Sequence, residues 1–118
     1  MTTEIIDNMN TELETLENKI ATLDRLYKSE IADLKTTQKA INLMLPQSIL
    51  SEAEIVDEYY FPETDKFKPP ENNTIIVSVC ALIDHKNTIL RCAEDHKEES
   101  VKLKSETKKI KRAIKALE

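Results

Sequence analysis

Cys92 and His96 have the types and spacing of a metal half-site. Four residues apart on a helix, a thiolate and an imidazole share one face, and that is the ligand chemistry Zn²⁺ takes. His85 lies on the same stripe, seven residues before Cys92. At 1.5 Å of rise per residue it stands about 10 Å away, too far to share the ion unless two chains pool their ligands. Two ligands leave a site open, so no metal or cofactor is expected; the plainer reading is a buried free cysteine and a seam histidine near Glu30 or Tyr27. Acid–base chemistry has less support. Asp84, Glu94, Asp95, Glu98 and Glu99 sit in a charged stretch where carboxylates are ordinarily solvated. His96 and Ser100 could imitate a base and a nucleophile, yet nothing supplies an orienting acid or an oxyanion site.

Two further groups suggest binding instead of catalysis. Residues 101–117 hold seven bases against one acid, and Lys108, Lys109, Lys111, Arg112 and Lys115 could contact phosphates. No aromatic residue interleaves with them, and the whole chain is acidic, at net −5. Tyr59, Tyr60, Phe61 and Phe67 are four of the five aromatic residues and cluster mid-chain. With Ile76, Val77 and Ile83 they are the candidate contacts for a protein partner, since aromatic anchors dominate interface energetics.

The elements that must carry these residues follow from composition. The 118 residues suit one domain, 33% of them are charged, and there is no glycine. Phosphate-cradling loops, dinucleotide fingerprints and nucleophile elbows all need glycine, so those motifs are absent. The reading is a non-enzyme. Two cysteines are too few for a secreted disulfide framework. Met1-Thr2-Thr3-Glu4 lacks the basic start of a signal peptide, and no apolar run reaches the ~18 residues of a membrane span. A cytoplasmic or nuclear protein is expected, not secreted and not membrane-bound.

All four prolines lie between 46 and 70, which leaves 1–45 and 73–118 free to be long helices. With Ile6 as heptad position a, the a residues are Ile6, Leu13, Ile20, Tyr27, Leu34 and Ile41. The d residues are Met9, Leu16, Leu23, Glu30, Thr37 and Met44. Ten of these twelve are apolar, the pattern of a coiled-coil seam. Leu26, Ile31 and Leu45 widen the stripe on one side. The second arm repeats Ile75, Leu82, Ile89, His96, Leu103, Ile110 and Leu117 at the same period. A smaller, more polar companion column runs Val79, Lys86, Ala93, Ser100, Thr107 and Ile114. That register predicts one helix from an N-cap at Asn73 or Thr74. The rival is a strand over 74–81, where Ile75, Ile76, Val77 and Val79 favour β structure. In the connector, 46–72, Ser51-Glu52-Ala53-Glu54 is a capping box and predicts a short helix over 51–60.

The whole is expected to be all-α, a long antiparallel helical hairpin with a short-helix and aromatic connector at its bend. Residues 1–17 hold five acids and no base, and antiparallel pairing sets them beside the basic block at 101–117. An exposed ion pair is worth only ~0–1 kcal/mol, so charge chooses the orientation while the seam supplies stability. Residues 75–83 are apolar around most of a helix, more than one neighbouring helix covers. Self-association or a protein partner is therefore expected at the end formed by 26–45 and 75–90.

A long helix, an inserted middle and a long antiparallel return resembles small coiled-coil chaperone subunits such as prefoldin. Those carry β-hairpins in the middle, and 46–72 shows no alternating strand pattern, so no residue role is carried over. The leading functional expectation is a non-enzymatic interaction subunit or adaptor. The alternatives are a nucleic-acid-associated factor and a viral or phage inhibitor that occludes a host protein.

Overall fold

The computed structural model describes residues 2–118. Three helices dominate: α1 over Thr2–Ser48, α2 over Glu52–Tyr59 and α3 over Thr74–Leu117. Two short strands, β1 over Tyr60–Phe61 and β2 over Lys66–Phe67, pair antiparallel between α2 and α3. The fold is all-α, with α1 and α3 paired as an antiparallel helical hairpin. No described helix is long and apolar enough to cross a membrane. The chain divides into two compact units, a terminal unit of Met1–Ser29 with Cys92–Glu118 and an inner unit of Glu30–Arg91.

In the terminal unit the sevenfold repeat is realised side chain by side chain. Between residues 2 and 29 the only positions withdrawn from solvent are Ile6, Met9, Leu13, Leu16, Ile20, Leu23, Asp24 and Tyr27. Seven of these are the a and d residues, and Asp24 is an adjacent polar contact. Leu26, expected to widen the stripe, is exposed. On α3 the small companion column lies deepest: Ala93, Ser100 and Thr107 are buried, with Leu103 and Ile114. Small side chains let the helices approach closely, and Leu103 of the larger α3 column is buried with them. The buried Thr107 hydroxyl donates to the Lys104 carbonyl at 2.8 Å. Paired charges mark the direction: Glu17 meets Lys111 at 3.5 Å, and Asp24 meets Lys104 at 3.3 Å. One heptad forward on α1 is one heptad back on α3, which is antiparallel register.

In the inner unit the core is Ile41 of α1, Ile55 of α2, and Ile76, Val79, Cys80 and Ile83 of α3. Ile41, Ile55 and Val79 are fully buried, each worth roughly 1.5–3 kcal/mol of transfer energy. α2 starts on the expected capping box. The Glu54 amide donates to the Ser51 hydroxyl at 3.2 Å, and the Ser51 amide donates to the Glu54 carboxylate at 3.4 Å. Asn73 caps α3, its side-chain oxygen accepting from the Ile76 amide at 3.1 Å. Residues 74–81 are helical, not a strand; the cap and the continuing seam outweigh the β preference of Ile75, Ile76 and Val77.

Three boundaries differ from expectation. α1 runs through Pro46 to Ser48. The proline falls in the last turn, where its missing N–H removes a single helical bond. With no glycine available, Ile49 takes the left-handed conformation that follows many helices, at φ 66°. For a β-branched residue that geometry costs about 1–2 kcal/mol. Ser48 closes the turn, its hydroxyl donating to the Leu45 carbonyl at 2.7 Å and accepting from the Leu50 amide at 3.2 Å. α2 spans 52–59, one residue shorter at each end than 51–60. The connector, in which no strand was expected, folds at 60–67 into a β-hairpin with Tyr60 opposite Phe67 and Phe61 opposite Lys66. Strands of two residues are too short to display alternation.

Candidate functional site

The hairpin exists because its turn can close without glycine. Pro62 presets the backbone after Phe61, the Thr64 amide donates to the Phe61 carbonyl at 3.2 Å, and Asp65 supplies the left-handed residue at φ 52°. Asp is among the few residues that adopt this conformation readily. The Tyr60 and Phe67 rings then meet across the strands, tilted by 50° with centroids 5.1 Å apart, and Lys68 lies 5.1 Å over the Phe61 ring. Phe67 and Tyr59 pack on the inner-unit core.

Asp65 ties the hairpin to α3. The Tyr60 hydroxyl donates to its carboxylate, and Arg91 donates to the other oxygen at 3.1 Å. The Tyr60 hydroxyl and then Arg91 hold the Asp65 carboxyl below its ordinary pKa. The same hydrogen bond, helped by burial, pushes the Tyr60 phenol above its own. Burial, then the neighbouring Glu58, raises Tyr59.

This arrangement leaves a groove of about 540 Å³ between the hairpin and α3. Phe67, Pro69, Val77, Cys80 and Ala81 form its apolar lining, and Asp65, Lys66, Asp84 and Arg91 its charged rim. The rim carries two acids and two bases, so it is balanced. Phe61 and Val77 are each 37% exposed, large apolar side chains left accessible beside an otherwise closed core. The Cys80 thiol is raised above its ordinary pKa by burial, which makes it poorly nucleophilic.

A second polar cluster holds the three helices of this unit together. Lys86 of α3 donates to the Glu52 carboxylate of α2 at 2.5 Å and to the Gln38 side-chain oxygen of α1 at 3.0 Å. Gln38 donates to the other Glu52 oxygen at 3.0 Å. Burial acts to raise the Glu52 pKa, and the bonds from Gln38 and Lys86 outweigh it, so the carboxyl titrates below its ordinary value. The cluster explains why a lysine occupies the companion column at position 86.

The residues singled out in the sequence are therefore distributed. Tyr59, Tyr60, Phe61 and Phe67 come together in and beside the hairpin, with Val77 facing the groove. Ile76 and Ile83, expected to face a partner, are buried within the chain. α2 and the hairpin lie over the apolar face of 75–83 and take up most of it. Cys92, expected to be buried, is exposed, as is His85, while His96 is half-buried. Among the described residues no group of three or more His, Cys, Asp or Glu side chains gathers as a metal site. Of the basic residues, Lys111 pairs with Glu17. Lys108, Lys109, Arg112 and Lys115 are exposed and make no ion pair among the described residues. The rim residues Asp65, Lys66 and Arg91 went unread as site residues. The one available signal was the turn Pro62-Glu63-Thr64-Asp65 between Tyr60-Phe61 and Lys66-Phe67. No family model matches the chain, and neither the curated proteins nor the solved structures contain a match to it.

Proposed function

We propose that this chain is a non-enzymatic protein–protein interaction subunit, an adaptor built on coiled-coil helices, and that the groove between the β-hairpin and α3 is its recognition surface. The observation that carries the reading is the groove's composition: an apolar lining of Phe67, Pro69, Val77 and Ala81, the accessible Phe61 beside it, and a rim of balanced charge. Apolar anchors ringed by polar groups have the anatomy of an interface centre. A partner inserting one or two large apolar side chains would desolvate the lining and meet no uncompensated charge at the rim. Such a subunit fits the cytoplasm or nucleus, where Cys80 and Cys92 stay reduced.

The test is affinity purification from the native source with the wild-type chain, Val77→Glu and Phe61→Ala as baits. A protein retained by wild type and lost from both variants supports the reading, provided the thermal transition of each variant is unshifted. Equal retention by all three overturns it.

One observation favours a second reading, nucleic-acid association. Lys108, Lys109, Arg112 and Lys115 stand exposed without ion pairs among the described residues, a row of cations available to phosphates. A salt-dependent electrophoretic shift, abolished by reversing those four charges, would favour it over the groove.

A further inference from the structure

The hairpin offers the groove an open strand edge. Its ladder sets Tyr60 opposite Phe67 and Phe61 opposite Lys66. Beyond them the Lys68 amide donates to the Tyr59 carbonyl at 2.8 Å. Along an antiparallel ladder, bonded and non-bonded pairs alternate. With Tyr59 and Lys68 bonded, the next bonded pair is Phe61 with Lys66, and the N–H and C=O of Phe67 point away from β1. Among the described residues neither group meets a backbone partner. The edge of β1 is closed, because the Tyr60 amide donates to the Val56 carbonyl of α2. Successive strand residues face opposite sides, yet Lys66 and Phe67 both line the groove. The groove therefore runs along the open edge of β2.

We infer that the groove takes an extended segment of its protein partner, acidic–apolar–acidic in sequence, which adds to β2 as a third, antiparallel strand. The inference rests on the groove being the recognition surface. In strand addition the main chain supplies the bonds and alternate side chains supply the selectivity. Phe67 exchanges its N–H and C=O with the segment's central residue, and Pro69-Pro70, lacking N–H groups, end the edge. A helical partner has no such groups to offer, because its own ladder uses them. Charge then selects the side chains. Phe67 is half-buried between the exposed Lys66 and Lys68, so both lysines share the outer face, where Lys68 lies over the Phe61 ring. The residue opposite Phe67 turns inward onto Val77 and Ala81, and its two neighbours turn outward opposite the lysines. Opposite charges directly across a ladder stabilise it. Asp84 on the α3 side of the groove disfavours an acid turned inward, which keeps the alternation in one phase.

Nuclear magnetic resonance titration of the full chain with the capped peptide Thr-Glu-Ile-Glu-Thr tests it. The Phe67 amide should shift downfield and its hydrogen exchange should slow at least tenfold. Methylating the amide nitrogen of the peptide's isoleucine removes one backbone bond and keeps the side chain, so it should weaken binding at least tenfold. Replacing both glutamates by lysine should do the same. Lys66→Glu combined with Lys68→Glu, at two exposed positions, should reverse that preference with the fold intact. A Phe67 amide that stays unmoved at millimolar peptide overturns strand addition. So does an N-methylated peptide bound as tightly as its parent, or a charge preference that the double variant leaves unchanged. The capture experiment with Val77→Glu and Phe61→Ala decides the groove separately, so the failure of strand addition and the failure of the groove are told apart.

Discussion

Lys86 on α3 and Glu52 on α2 lie 2.5 Å apart, with Gln38 of α1 bonded to both. Three helices from distant parts of the chain thus share one polar junction beside the inner core. Lys86→Met leaves Glu52 and Gln38 without their cation, and the loss of unfolding free energy should be about 1–3 kcal/mol. Replacing all three residues together by Met, Gln and Leu (Lys86→Met, Glu52→Gln, Gln38→Leu) should cost less than the single change, because no charge is then stranded. Urea unfolding of the two variants makes the comparison.

The acid side of the stability profile follows from carboxyls whose folded pKa is depressed, Glu52, Asp24 and Asp65. Glu52 is held by Gln38 and Lys86 against the opposing effect of burial. Asp24 is held chiefly by the Ser100 hydroxyl, which donates to it at 2.7 Å, and also by Lys104. A depressed carboxyl stabilises the fold above its unfolded pKa, and that contribution is lost as pH falls through the folded value. Stability should therefore be level above roughly pH 5 and decline below roughly pH 4. Asp24→Asn should flatten part of this decline, read as urea midpoints across pH.

On the alkaline side burial raises Cys80 and Tyr59, and the bond to Asp65, helped by burial, raises the Tyr60 phenol. A raised pKa gives stability present below the unfolded value and lost as pH rises through the folded one, above roughly pH 10. Asp65→Asn should lower the Tyr60 ionisation toward its ordinary value, seen by ultraviolet difference titration. It should also loosen the hairpin without unfolding the helices, which circular dichroism would report.

The two thiols should react in two phases with a disulfide reagent under native conditions. Cys92 is exposed, whereas Cys80 is buried in the core with its pKa raised. Cys92→Ser should remove the fast phase and Cys80→Ala the slow one. Two equally fast thiols would mean that α2 and the hairpin do not cover α3 as described.

Ile55 is the fully buried residue of α2, with Val56 and Tyr59 packed on the core beside it. Ile55→Ala should cost about 2–5 kcal/mol. It should also expose the apolar face of 75–83, raising binding of a hydrophobic dye, whereas Ile5→Ala at an exposed position of α1 should do neither.

Both long helices, their seam and their opposite directions were legible in the residues alone. The sevenfold spacing from Ile6 to Tyr27 names the withdrawn side chains of α1 because a helix repeats its faces locally, whatever it packs on. The capping box at Ser51 and the cap at Asn73 were legible for the same reason, each being a bond between residues three apart. The groove was not. Its lining and rim come from Asp65, Phe67, Val77 and Arg91, which meet only after the chain reverses at Pro62–Asp65 and α2 lays Ile55 on Ile76 and Val79.

What the amino-acid order determined by itself is everything carried by short-range periodicity: two helices, their seam and their caps. What only the tertiary structure decided is which apolar residues are used up inside and which remain for others. Ile76 and Val77 are neighbours of the same chemistry, yet one is 1% exposed and the other 37%. That difference depends on where α2 and the hairpin come to rest. Such non-local packing is a sum of many weak contacts across the chain, and no local pattern encodes it.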